Sequence, residues 1–144
     1  MAHQTGDLIT REEALALEYR HMTEGQFLQR VVNAARTWGW SLYHHDTRLH
    51  RGGVTVEYGT KDGPVTRRMR PRQLTGRGFP DCVLAKAGHQ LVVAELKTQK
   101  GRLSPEQLHW GEVLASLPGV RYRVWRPRHM DEIEALLMEP EVAT

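Results

Sequence analysis

The chain has 144 residues, 40% of them apolar and 26% charged, an ordinary globular composition with enough chain to bury a core. No apolar run reaches the ~20 residues of a membrane span, the start MAHQTGDLITREE has no signal-peptide pattern, and one cysteine, Cys82, excludes an internal disulfide or a cysteine-built zinc cage. The expected location is therefore cytoplasmic. The net charge of +3 is uneven: from Thr47 to Gly78 seven Arg and one Lys face Glu57 and Asp62, a local +6 that leaves −3 elsewhere. A basic segment on an acidic body suits a polyanion partner, and a solvated loop equally well.

Thr10 and Glu13 predict a capping box at the head of a first helix, REEALALEYRH. A second helix, MTEGQFLQRVVNAARTW, opens on Thr23 with Gln26 at the box position. Its apolar stripe is Phe27, Leu28, Val31, Ala35 and Trp38. Glu24 lies on that stripe and is expected to point toward the core side. Gly39 ends the helix, and WSLYHH reads as a strand. In the basic stretch, VTVEYGTKDGPVT predicts a hairpin turning at KDG, with RRMRPR and TGRG as exposed loop. GFPDCVLA and QLVVAELK read as two further strands. RLSPEQLHWGEVLASL is a helix capped by Ser104, with Pro105 at its first position and Gln107 completing a box, stopped by Pro118 and Gly119. VRYRVWRP is a strand that sets Val120, Tyr122 and Val124 against Arg121, Arg123 and Arg126, with Trp125 out of phase. MDEIEALLMEP closes the chain as an acidic helix. The order predicts an α/β fold, a mixed sheet flanked by helices. We expect one domain over 1–144: a helical extension (1–22), a basic insert (47–78), and a hairpin, helix and strand (79–127).

The stretch GFPDCVLAKAGHQLVVAELK places acids where a plain core strand would not want them. Strand side chains alternate, so Leu91, Val93, Glu95 and Lys97 share one face, as do Asp81, Val83 and Ala85. Asp81 stands opposite Glu95 only if paired positions sum to 176, which requires an odd-length connection: Ala87 to His89, or Lys86 to Gln90. Two carboxylates that close repel unless a cation lies between them or one is protonated. Oxygen ligands without Cys or His suit Mg²⁺ or Mn²⁺. Lys97 beside them would orient a water or stabilise developing negative charge.

Each flanking residue has a plainer explanation as well. Glu24 in a first turn complements the helix dipole, and Gln107 completes a cap. His44, His45, Asp46 and His50 offer metal-ligating atoms, but their spacing fits no helix-face pair and a solvated reading is preferred. Cys82 reads as a small buried hydrophobe. The tryptophans, Trp40 and Trp125 included, read as core rather than as platforms for bases.

GFPD, thirteen residues, then ELK, with Glu24 on a preceding helix and Gln107 in SPEQ on the following one, resembles the PD-(D/E)XK nuclease superfamily. Within it the chain is most similar to the VRR-NUC family, whose stand-alone members are often phage-encoded. The resemblance covers residues 23 to about 127 and leaves the basic insert and first helix unexplained. It implies a restriction-endonuclease-like core in which Asp81, Glu95 and the Leu96 carbonyl oxygen hold Mg²⁺ or Mn²⁺, with Glu24 joining directly or through a water. It implies that Lys97 positions the attacking water and that Gln107 steadies Lys97 or the DNA backbone. The reaction would be metal-dependent hydrolysis of DNA phosphodiesters, on branched substrates such as four-way junctions, by a homodimer resembling Holliday junction resolvases. The expected setting is a bacterial or phage-infected cell.

Phosphate contacts are expected from Arg48, Arg51, Arg67, Arg68, Arg70, Arg72, Arg77, Lys100 and Arg102, and no nucleotide cofactor or membrane is expected. Two other classes remain open from the residues alone. One is a catalytically silent nucleic-acid-binding module on the same fold, and the other is an adaptor whose basic loop meets an acidic partner.

Overall fold

The computed structural model describes residues 8–44, 54–69 and 76–142. Four strands form the central sheet: β1 (Ser41–His44), β4 (Cys82–Ala85), β5 (Leu91–Leu96) and β6 (Val120–Trp125), in that spatial order. β4 runs antiparallel to both β1 and β5, and β6 lies parallel to β5. The parallel step needs a crossover, supplied by α3 (Pro105–Ala115). The remaining helices are α1 (Arg11–His21), α2 (Glu24–Thr37) and α4 (Met130–Leu137), the last preceded by a 3₁₀ turn over Pro127–His129. The chain is thus an α/β fold with a mixed sheet flanked by helices. Among the described residues no helix is long and apolar enough to cross a membrane.

The three capping boxes form at the expected places, with Thr10, Thr23 and Ser104 each accepting from the backbone N–H three residues on. Helix α2 turns Phe27, Val31, Ala34 and Ala35 inward. They meet Cys82, Leu84, Val92, Ala94, Leu96 and Trp125 from one sheet face, and Ile133, Leu136 and Leu137 from α4. Trp40 is buried in this core, where its Nε1 donates to the Leu137 carbonyl at 3.0 Å. Trp38 donates to Glu134 Oε2 at 2.7 Å, so two indoles tie α2 and the chain that follows it to α4. Trp110 departs from the core reading: it is half-buried, outside that core, and donates to the Arg77 carbonyl at 3.0 Å. Helix α1 buries no residue of its own.

β2 (Val54–Thr60) and β3 (Gly63–Met69) form a separate two-stranded sheet turning through Lys61 and Asp62. β3 extends further than expected. Arg67, Arg68 and Met69 are strand rather than loop, because Val56, Thr55 and Val54 continue the antiparallel ladder opposite them. Arg48, Arg51, Arg70, Arg72, His45, Asp46 and His50 lie outside the described residues.

Candidate active site

The register of the β4–β5 hairpin creates the site. Cys82 pairs with Ala94, Val83 with Val93 and Leu84 with Val92, so paired positions sum to 176. The connection is the five-residue one, Lys86 to Gln90, closed by the His89 N–H donating to the Lys86 carbonyl at 3.1 Å. This register leaves Asp81, one residue before β4, at the level of Glu95. The carboxylate itself extends the ladder: Asp81 Oδ2 accepts from the Leu96 N–H at 2.8 Å. Leu96, expected to contribute its carbonyl oxygen, meets Asp81 through its N–H.

Glu95 is the only charged residue buried in the described chain, 2% exposed on a strand otherwise made of apolar residues. Its Oε1 accepts from Gln107 Nε2 at 2.7 Å, while Oε2 is buried with no hydrogen-bond partner. Burial first, and then the neighbouring Asp81 carboxylate, push its pKa up to about 8; Lys97 pulls the other way without offsetting them. The same pair of acids acts on their neighbours. Burial and then these two acids raise the Cys82 thiol to about 12, and hold the Tyr122 hydroxyl above its ordinary value.

The Lys97 ammonium stands 3.7 Å from Glu95 Oε1 and 4.0 Å from Glu24 Oε1 and is 13% exposed. Glu24 corrects the expectation of a core-side acid, since its side chain is 56% exposed and stands in an ion pair with Lys97. It is the first residue of α2, and helical side chains lean toward the N-terminus, so it projects past the helix end while Val31 and Ala35 on the same stripe turn inward. It forms the rim of the site.

Gln107 unites its two possible roles in one side chain. Its Oε1 accepts from the Ser104 N–H at 2.8 Å, completing the cap, and its Nε2 donates to Glu95. The cap fixes the orientation of the amide and so presents the donor, not the acceptor, to the carboxylate. The segment before Asp81 lies directly on this first turn of α3. Gly78 sits at φ +83°, and a Cβ there would stand 2.6 Å from Glu106 backbone and side-chain carbons. A side chain at 78 would therefore lift the segment from the helix. Phe79 meets the Trp110 ring edge-on at 5.1 Å, and the exposed Arg77 stands 4.0 Å from Glu106.

Two contributors escape a sequence reading. Arg126 Nη1 donates to the carbonyls of Thr98 and Gly101 at 2.6 and 2.7 Å, holding the loop that leaves Lys97. Its partners are backbone atoms 25 and 28 residues away, which leave no side-chain signature. Tyr122, opposite Val93 on β6, shares the sheet face of Glu95; its alternation with Val120 and Val124 was legible, but not its neighbours. Of the expected phosphate contacts, Arg77, Lys100 and Arg102 are exposed, whereas Arg67 and Arg68 are placed only as strand positions. His44 ends β1.

Among the described residues no three His, Cys, Asp or Glu side chains form a ready cage for a metal ion. The fit of a divalent cation rests on a narrower observation. A buried carboxylate oxygen without a partner lies beside a second carboxylate, an arrangement that a hard cation would relieve. Comparison of the chain with protein-family models, curated proteins and solved structures yields no match.

Proposed function

We propose that the protein is a metal-dependent DNA endonuclease of the PD-(D/E)XK type, most similar to the VRR-NUC family. The observation that carries this reading is Glu95, a buried acid with one oxygen held by Gln107 and the other unpartnered, beside Asp81 and Lys97. A fold gains nothing in stability from such a group, because an unsatisfied buried carboxylate costs several kcal/mol roughly. Asp81, Glu95 and the Leu96 carbonyl would hold Mg²⁺ or Mn²⁺, with Glu24 joining directly or through a water. When bound, the ion supplies Lewis-acid stabilisation of charge on the phosphate oxygens.

The chain's own groups have separable tasks. Gln107 locks the Glu95 carboxylate in one rotamer. The Lys97 ammonium makes no hydrogen bond among the described residues, only the two longer ion pairs, so its N–H groups are available to a water or a phosphate oxygen. Held there, the water gives up a proton to solvent as it attacks phosphorus in line. The opposite P–O bond breaks with its electron pair leaving on the sugar oxygen, which takes a proton from water, and the ammonium stabilises the added negative charge. Glu24 keeps Lys97 at the mouth from the rim. Arg77, Lys100 and Arg102 would carry the DNA backbone, with the arginines of the basic insert. A branched substrate such as a four-way junction and a homodimeric enzyme, in which two sites make paired nicks, are part of the same proposal.

The test is nicking of supercoiled plasmid with Mg²⁺ or Mn²⁺ by the natural chain and by Asp81→Ala and Glu95→Ala. Both variants should lose cleavage by roughly a thousandfold or more while keeping salt-sensitive DNA binding. Cleavage retained by both sinks the assignment. Binding without nicking by the natural chain identifies a silent nucleic-acid-binding module instead. A panel of junction, flap, duplex and single-stranded DNA then identifies the preferred substrate.

A further inference from the structure

Helix α3 carries Gln107, and one turn later the buried Gly111 lies close against Tyr122 of the sheet. Gly111 is buried and lies on the same helical stripe as Gln107 and Leu114. A Cβ at position 111 would stand 2.8 Å from Cε1, Cζ and Oη of Tyr122, closer than real Cβ contacts come. The tyrosine ring thus occupies the space that any other residue at 111 would need. β6 is fixed in turn by its six-residue parallel register with β5, in which Tyr122 pairs with Val93 and Val124 with Glu95. The ring that seats α3 therefore stands on the strand beside the one that presents Glu95.

We propose that Gly111 and Tyr122 are positioning residues: their contact sets the depth of α3 on the sheet and so holds Gln107 against Glu95. This rests on the reading of Glu95 as part of a nuclease site. Gln107 Nε2 lies 2.7 Å from Glu95 Oε1, so lifting α3 by about 1 Å takes the pair beyond hydrogen-bonding range. Oε2 has no partner to compensate, and Glu95 would keep only the 3.7 Å approach of Lys97. A methyl group at 111 is far from the reacting atoms, yet it acts on the orientation of the acid.

The experiment follows the side-chain amide resonances of Gln107 in ¹⁵N-labelled protein, assigned by their loss in Gln107→Ala. In the natural chain these protons should be shifted and protected by the carboxylate. In Gly111→Ala they should move to the position of a solvated glutamine, with nicking down about 10- to 100-fold, the range for losing a partner that orients a metal-holding group. Gly111→Ala/Tyr122→Leu, which removes the colliding ring atoms, should restore both. If Gly111→Ala does not fold, Tyr122→Trp enlarges the same contact from the sheet side and should displace the amide alike. An unmoved Gln107 amide in folded Gly111→Ala, or no recovery in the double variant, overturns the proposal. The expected amide shifts with no nicking by any chain, the natural one included, support the seat and reject the nuclease reading.

Discussion

On one face of the central sheet, Cys82, Leu84, Val92, Ala94, Leu96 and Trp125 close against Phe27, Val31, Ile133 and Leu137 with almost no exposure. On the other lie Val83, Val93, Glu95 and Tyr122, where α3 meets Tyr122 and Glu95 through Gly111 and Gln107, and Tyr43 on the outer strand is 64% exposed. β5 belongs to both, because alternate residues of one strand face opposite ways. The first face buries apolar groups with complementary neighbours and supplies stability. The second encloses an acid with an unpartnered oxygen and another acid beside it, and gives stability up. Rigidity from the first face is what allows the second to hold like charges together.

Substitutions should separate the faces. Asp81→Ala is expected to abolish nicking while the folded state persists. Leu84→Ala, three residues later on the core face, should cost ~2–5 kcal/mol of unfolding free energy in a denaturant titration. Nicking by folded Leu84→Ala should then stay near the natural rate. Equal loss of activity in the two variants at low temperature would break the division.

The pH dependence sharpens it. In the folded chain Glu95 titrates at about 8, against an ordinary value of 4.5. The folded state therefore binds the extra proton between those values. The contribution is fully present below about 4.5 and is lost as pH rises through about 8. Metal-free protein should lose up to ~1.4 kcal/mol of stability per pH unit inside that window. Glu95→Gln should flatten the slope and raise the melting temperature at alkaline pH, at the expense of nicking. Mg²⁺ or Mn²⁺ should stabilise the natural chain most at the alkaline end, where the acid is ionised. A melting temperature independent of pH across the window would reject the buried-acid description.

Smaller effects are expected on α3 and at Cys82. Gln107→Ala should reduce nicking about 10- to 100-fold, while Ser104→Ala, which removes the cap but not the amide, should cost about 1 kcal/mol of stability. Cys82 should resist alkylation in the folded protein, because its thiol is buried and raised to about 12. Its modification rate, followed by mass spectrometry, then reports opening of the core face. Rapid labelling under native conditions would show that this face is not closed.

The sequence by itself determined the order of the elements and the starts of three helices. Capping boxes at Thr10, Thr23 and Ser104, the inward stripe of α2 and the turn at Lys61 and Asp62 depend on neighbours within four residues. The hairpin register was legible too, because side-chain alternation and loop parity leave few ways to place Asp81 opposite Glu95. Tertiary structure decided which polar groups meet. Glu24 follows an inward stripe yet stands at the rim, because the first turn of a helix projects beyond its own end. Arg126 and Tyr122 reach the site through atoms far away in the chain, and the close approach at Gly111 exists only once α3 lies on β6. Local rules fix spacing along an element; distances between elements follow from packing, and the orphaned oxygen of Glu95 is a property of packing alone.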